Sequence, residues 1–205
     1  MASVTPGPAS TGPLSAAEAL RRLKEGNARF ASNVRSVDSL LSQLRRADLA
    51  NRQEPFAIIL GCSDSRAPAE IVFDQGLGDL FVIRVAGNIV APSQVGSVEF
   101  AAERFRTRLV VVMGHTGCGA IDSAIEAGKA HSGWSKNLLS IVDRVRPSVE
   151  PLLSTDLVND REALAREAMR ANVRASANHL RHGSQVLEEL IGNSGLLVVG
   201  AAYDI

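Results

Sequence analysis

Two cysteines and a histidine are the residues of this sequence whose types and spacing suit metal chemistry. Cys62 and Cys118 each follow an apolar run that ends in glycine, and His115 precedes Cys118 at the His-x-x-Cys spacing of metal ligands on a turn. Two thiolates and one imidazole suit zinc, and three protein ligands leave a fourth tetrahedral position open, as in catalytic sites. The sequence therefore predicts a catalytic type of zinc site, provided that the strands before the two cysteines are neighbours.

Two other interpretations of the cysteines remain open. A free cysteine is commonly a buried apolar residue, so each of them could serve packing alone. The pair could also act as a redox dithiol, which predicts no zinc and a Cys62–Cys118 bond under oxidising conditions. Two cysteines are too few for the set of bridges that small secreted domains use.

An acidic and a basic residue come shortly after Cys62. Asp64 and Arg66 are two residues apart, so on an extended turn their side chains point the same way and can pair. Beside a metal, Arg66 would keep Asp64 ionised and oriented, and Asp64 would accept a hydrogen bond from metal-bound water. The carboxylate could equally swing onto the metal as a fourth ligand, which would switch the site off. A plain surface ion pair is the alternative.

Four short apolar runs predict the strands that position these residues. The runs at 56–61, 80–84, 109–114 and 196–200 are not alternating, as is typical of strands buried on both faces of a parallel sheet. Ser15 and Glu18 have capping-box spacing at the start of a first helix, 15–32. Further helices are predicted at 37–49, 68–75, 94–106, 120–127, 136–145, 160–182 and 184–190. Loops are predicted at 131–134 and 147–160, with Pro147 and Pro151 ending a helix.

The alternation of strands and helices predicts an α/β fold with a mainly parallel central sheet of about four core strands, flanked by helices. Residues 15–205 are expected to form a single domain, and residues 1–14 a flexible tail. In open parallel sheets, ligands gather outside the carboxyl ends of the strands, and both cysteines follow such ends.

Composition excludes several classes of protein. The 205 residues carry 22 basic and 22 acidic side chains, which argues against a dedicated nucleic-acid binder. No apolar run approaches the roughly 18–20 residues of a membrane span, so no membrane partner is expected. The N-terminus has no apolar stretch typical of a secretory signal, so the cytoplasm is the expected location.

Several segments together resemble the β-class carbonic anhydrases. The motifs CSDSR and HTGCGA each follow a buried strand, and they are highly specific. EALRRLKEGNARF is similar to the N-terminal helix of the family, and AEIVFDQGLGDLFVIRVAGN to the segment after the first zinc ligand. GSVEFAAE and VVGAAYD are similar to the helix before the third strand and to the last core strand. The resemblance covers about residues 15–205 and implies the strand order 2-1-3-4 with an N-terminal helical arm.

The resemblance also implies roles for individual residues. Cys62, His115 and Cys118 take the positions of the zinc ligands, and Asp64 and Arg66 those of a catalytic dyad. The substrate-binding positions fall on Gln53, which would act across a dimer interface, on the amide of Gly119, which would bind a bicarbonate oxygen, and on Phe81, Ala86 and Phe100, which would line the pocket. Phe100 replaces a tyrosine of plant-type members, and Ala86 replaces their valine.

The activity implied is zinc-dependent, reversible hydration of carbon dioxide to bicarbonate and a proton by zinc-bound hydroxide. One Zn²⁺ per chain and a homodimer or tetramer are expected. A carbonyl sulfide or carbon disulfide hydrolase of the same fold is one alternative. A non-catalytic zinc or bicarbonate sensor, in which Asp64 stays on the metal, is another.

Overall fold

The structure, a computed structural model, describes residues 13–41, 46–50, 53–127 and 133–205. The elements of these residues are, in chain order, α1 (Ala16–Ala31), α2 (Val37–Leu41), α3 (Arg46–Leu49), β1 (Ala57–Gly61), α4 (Ala69–Val72), β2 (Leu80–Arg84), α5 (Pro92–Arg104), β3 (Leu109–His115), α6 (Gly119–Ala127), α7 (Lys136–Val149), α8 (Arg161–His182), α9 (Gln185–Ser194) and β4 (Leu197–Tyr203). Short 3-10 turns cover Ala86–Asn88, Glu150–Ser154 and Asp156–Asn159. No helix in the described ranges has both the length and the apolar character needed to cross a membrane.

The four strands form one parallel sheet in the order β2-β1-β3-β4, which confirms the predicted order. Strands β1 and β3 are central and buried along their whole length, as their continuous apolar character predicted. Because side chains alternate along a strand, Ile58 and Leu60 face the larger apolar layer, which includes residues of α5 to α8. Ile59 and Met113 face the smaller layer, which includes residues of α1 and α4.

Helix α1 covers the smaller layer and confirms the predicted N-terminal helix. The Ser15 side chain accepts a hydrogen bond from the Glu18 N–H, as the cap spacing predicted. Ala19 and Leu23 are buried in the smaller layer. Gly26 lets α1 approach the chain after α4, since a Cβ there would stand 1.8 Å from the Phe73 carbonyl oxygen. Of the predicted tail at 1–14, residues 1–12 lie outside the described ranges.

A buried carboxylate ties the segment after α1 to the chain after α4. Asp74 has a fully buried side chain and a backbone φ of +46°. It accepts hydrogen bonds from Arg29 Nε (2.6 Å), the Ser36 N–H (3.0 Å) and the Ser39 hydroxyl (3.0 Å). Arg35 Nε lies 3.3 Å from Oδ1 of Asp74. These contacts fix residues 29–39 on the body of the domain.

Several of the predicted element boundaries differ from the structure, and three of these differences have a physical reason or fall on residues 42–45. The predicted helix 37–49 is the two helices α2 and α3, and residues 42–45 between them lie outside the described ranges. The predicted helix 94–106 begins earlier, with Pro92 in its first turn, where a proline costs no hydrogen bond. The predicted loop 147–160 is wrong. Helix α7 continues through Pro147 to Val149, which is fully buried, and 3-10 turns follow.

Candidate metal centre

The carboxyl ends of β1 and β3 bring the three predicted metal ligands together. Cys62 directly follows β1, His115 is the last residue of β3, and Cys118 directly precedes α6. Strands β1 and β3 are neighbours in register, with Gly61 opposite Met113, so the condition set by the sequence is met. All three side chains are buried, with 5%, 1% and 4% exposure.

The geometry of this group fits a zinc ion. The two Sγ atoms are 4.0 Å apart, and each ligand atom of the three residues lies within 4.8 Å of the others. Two sulfurs at the usual zinc–sulfur distance and a tetrahedral angle would be about 3.8 Å apart. The two cysteines are free thiols in the structure and form no disulfide.

The His115 ring is oriented for metal binding. Its Nδ1 lies 2.9 Å from the Thr116 carbonyl oxygen, which assigns the ring proton to Nδ1. Its Nε2 is buried and has no hydrogen-bond partner among the described residues. A buried, unpartnered nitrogen is costly unless it has a ligand, and a carbonyl behind the ring is the usual arrangement of a metal-binding histidine.

Asp64 and Arg66 pair as the sequence predicted. Arg66 donates from Nε to Asp64 Oδ1 (2.9 Å) and from a terminal nitrogen to Oδ2 (2.8 Å), and its backbone N–H also reaches Oδ1 (2.9 Å). The same terminal nitrogen donates to the Gly117 carbonyl (3.0 Å). Asp64 Oδ2 lies 3.9 Å from His115 Nε2, so the carboxylate stands beside the ligand group while facing Arg66.

The hydrogen bonds of Arg66 hold the pKa of Asp64 well below its usual range, and this carboxylate is ionised at any physiological pH. The two sulfurs are close enough to share one proton, which favours one thiolate and one thiol. The hydrogen bond that the Cys62 sulfur accepts from the Cys118 thiol lowers the pKa of Cys62 to about 4. The same hydrogen bond, together with burial, raises the pKa of Cys118. Burial opposes a charge on His115, but the neighbouring Cys62, Thr116 and Asp64 outweigh it and raise its pKa. Metal binding therefore has to release protons.

Two further residues support the site and were missed by the sequence analysis. Arg84, the last residue of β2, donates from Nε to the Cys62 carbonyl (3.0 Å) and from a terminal nitrogen to the Asp64 carbonyl (2.6 Å). The Gly87 N–H donates to Cys62 Sγ at 3.4 Å. The position of Arg84 at the carboxyl end of a strand was the available signal. A backbone donor such as Gly87 leaves no signal in residue types.

The predicted substrate-binding residues divide into two groups. Gly119 begins α6 next to Cys118, and Ala86 precedes the Gly87 that contacts Cys62, so both are near the ligand group. Phe81 lies opposite Ile58 of β1. Ile58 is four residues before Cys62, so Phe81 lies about 13 Å from the level of Cys62 along the strand. Phe81 forms an aromatic cluster with Phe105 and with Phe100, which is 54% exposed.

Gln53 and the metal ligands lie at opposite ends of β1. It precedes β1, whereas Cys62 follows β1, and the five residues of this strand span about 16 Å. The Gln53 side chain is exposed. Within one chain, Gln53 therefore does not belong to the site that Cys62 forms.

A buried Cys–His–Cys group at the carboxyl edge of a parallel sheet makes this chain an α/β protein with a candidate metal site. Comparison with known proteins identifies the family to which the chain belongs. A sequence model of the family described as Carbonic anhydrase matches residues 57–205. Carbonic anhydrase 2 of Mycobacterium tuberculosis is 38% identical over 192 residues, which cover 91% of this chain and 87% of that protein.

Solved structures agree with this similarity. The β-carbonic anhydrase CafA of Aspergillus fumigatus has a TM-score of 0.71 at 27% identity, over 92% of this chain and 85% of that one. Two tetrameric β-carbonic anhydrases of Sordaria macrospora are represented by a chain that shares the fold, with a TM-score of 0.69 at 23% identity over 90% of this chain and 91% of that one. The chain belongs to the β-carbonic anhydrase family, as its motifs indicated.

Proposed function

We propose that this chain catalyses the reversible hydration of carbon dioxide to bicarbonate and a proton, as a zinc-dependent lyase. Cys62, His115 and Cys118 would hold one Zn²⁺ per chain. The observation that carries the proposal is the convergence of their three ligand atoms within 4.8 Å in a chain of this family. When bound, zinc supplies the Lewis acidity that makes water nucleophilic near neutral pH, an effect whose standard example is a carbonic anhydrase with three histidine ligands.

The residues around the ligand group would orient the reactants. Asp64, kept ionised by Arg66, presents a hydrogen-bond acceptor 3.9 Å from His115 Nε2 and would fix the orientation of the attacking water. The Gly119 N–H at the start of α6 would donate to a bicarbonate oxygen, since free N–H groups at a helix N-terminus favour anions. We keep Asp64 as the ligand of an inactive, closed state, in which it would leave Arg66.

A second copy of the chain would complete the site. Gln53 and Cys62 lie at opposite ends of β1, so Gln53 can serve as a substrate ligand only in the site of another subunit. We therefore propose a homodimer, or a tetramer built from dimers. Phe81, Phe100 and Ala86 would line the apolar part of a pocket that includes this interface. The free thiols of the ligand group suit a reducing compartment, and we place the protein in the cytoplasm.

Zinc content and carbon dioxide hydration, measured together on purified protein between pH 6 and 9, test the proposal. We expect one zinc per chain with hydration activity, and the loss of both in Cys62→Ser and in His115→Ala. His182→Ala, which replaces an exposed histidine of α8, should keep its zinc. Stoichiometric zinc in both ligand variants would refute the ligand assignment.

The same measurements, together with sulfide release and the state of the thiols, separate the alternatives. Bound zinc without hydration at any of these pH values would indicate a zinc or bicarbonate sensor. Faster release of sulfide from carbonyl sulfide than hydration of carbon dioxide would indicate a hydrolase of the same fold. Absent zinc with a Cys62–Cys118 disulfide under oxidising conditions would indicate a redox pair.

A further inference from the structure

The 3-10 turn after β2 presents a backbone donor to one sulfur of the metal centre. Gly87 and Asn88 in this turn both have a positive φ, +69° and +43°. A side chain at Gly87 would also place its Cβ 2.9 Å from the Ala120 Cβ in α6. The turn therefore requires glycine at this position, both for its backbone conformation and for its close approach to α6. In this arrangement the Gly87 N–H points at Cys62 Sγ, 3.4 Å away.

Two buried polar side chains of α8 hold this turn in place. Asn172 is 2% exposed and donates from Nδ2 to the Gly87 carbonyl at 2.8 Å. Ser176, one helical turn later, is 6% exposed and its hydroxyl donates to the Asn88 carbonyl at 3.1 Å. Their neighbours on the same face, Met169 and Val173, belong to the apolar core. Polar groups in such surroundings are costly unless they are bonded, and both bonds here go to one turn.

We infer that Asn172, assisted by Ser176, is a positioning residue of the metal centre that acts through the Gly87 turn on the Cys62 sulfur. The two bonds act on the two peptide units that flank the Gly87 Cα: the unit after it accepts from Asn172 of α8, and the unit before it donates to the Cys62 sulfur. Hydrogen bonds to a ligand sulfur fix its direction and reduce its electron donation to the metal, and outer groups of this kind tune metal sites. The inference rests on the proposed role of Cys62 as a metal ligand.

Cobalt substitution of the full-length protein provides a readout that a structural role alone would not change. Asn172→Asp keeps the size of the side chain but removes the amide donor. Without the Asn172 bond the Gly87 turn is released, and its N–H no longer points at the Cys62 sulfur. We expect the thiolate-to-cobalt charge-transfer band of this variant to move to longer wavelength, because a sulfur without an N–H donor is a better electron donor. We also expect zinc binding to weaken by about 10- to 100-fold, measured by competition with a chromophoric chelator, because a sulfur that is no longer held in direction binds the ion less well even though it is the better donor. Asn178→Asp, an exposed site on the same helix, should change neither property.

Ser176→Ala and Ser184→Ala form a matched pair in case Asn172→Asp fails to fold. Both serines are buried, but Ser184 caps α9 and bonds Glu99, away from the metal centre. The inference predicts a band shift in Ser176→Ala and none in Ser184→Ala. An unchanged band and zinc affinity in a folded Asn172→Asp, or equal spectra in the two serine variants, would overturn it. A wild-type protein without any charge-transfer band would instead refute the metal-centre assignment itself.

Discussion

Replacing Arg66 with alanine should reduce turnover while leaving the metal in place. Of the three hydrogen bonds that Asp64 receives from Arg66, two come from the guanidinium and only the backbone one remains in Arg66→Ala. The link to the Gly117 carbonyl is lost as well. A carboxylate released in this way can shift by about 1 Å or more, and a displacement of this size costs about a hundredfold in rate. We therefore expect kcat to fall about a hundredfold, with one zinc still bound per chain.

The pH dependence gives this prediction a second, independent check. Arg66 lowers the pKa of Asp64, so its removal raises that pKa toward the ordinary value of about 3.9. Asp64 then remains ionised at pH 7 in both proteins, and a loss of orientation should be equally large at pH 7 and pH 8.5. A defect that disappears at the higher pH would mean that Arg66 acts on a protonation state instead.

Stopped-flow hydration assays and metal analysis supply the measurement. Arg170→Ala is the control, because Arg170 and Arg66 are similarly exposed, at 50% and 53%, and each pairs with one acidic residue at 2.8 Å. Arg170→Ala should keep wild-type turnover. Arg66→Ala with turnover within twofold of wild type, or with zinc lost in proportion to activity, would refute the assigned role.

Three further predictions follow from the described contacts. Asp74→Asn should lower the free energy of unfolding at pH 7, measured in urea, by about 2–4 kcal/mol, because it removes the charge of a fully buried carboxylate that the partly exposed Arg29 compensates. Since the folded-state pKa of Asp74 is depressed, that difference should shrink as the pH falls from about 4, where the unfolded chain takes up the proton, to the lower folded-state pKa, where the folded wild type loses its carboxylate. Arg84→Ala should lower kcat about tenfold without changing Tm by more than a few degrees, and an unchanged kcat would contradict its role in holding the Cys62–Asp64 turn. A mixture of the Gln53→Ala and His115→Ala variants should recover activity in hybrid dimers, because one of the two sites then combines intact metal ligands from one chain with Gln53 from the other. No recovery would contradict action across the interface.

The central part of the fold was predictable because its signals are local. The continuous apolar runs of β1 and β3 favour burial of both faces of each strand, which is typical of a parallel sheet covered by helices. Cys62 and His115 could be expected at one edge because they follow the ends of those strands. Family resemblance, rather than residue spacing, supplied the strand order and the role given to Gln53.

The remaining features depend on contacts between distant residues. The bond between Asn172 and Gly87 joins residues 85 positions apart, and nothing in either residue type indicates the other. Arg84 binds two carbonyl groups, which every residue has. Pro147 was expected to end a helix, but a proline near the end of α7 loses one hydrogen bond only, and the burial of Val149 keeps the chain helical.

The parallel arrangement of β1 and β3 also sets the order of events during synthesis. Cys62 and Cys118 are 56 residues apart and meet only when the two strands have paired side by side. Such non-local pairing forms late, because a long loop must close before any contact rewards it. Cys62 therefore leaves the ribosome as an isolated thiol, and the proposed metal site can form only after the sheet has assembled. A nascent chain cut before Cys118 would lack one of the three proposed ligands at any concentration of zinc.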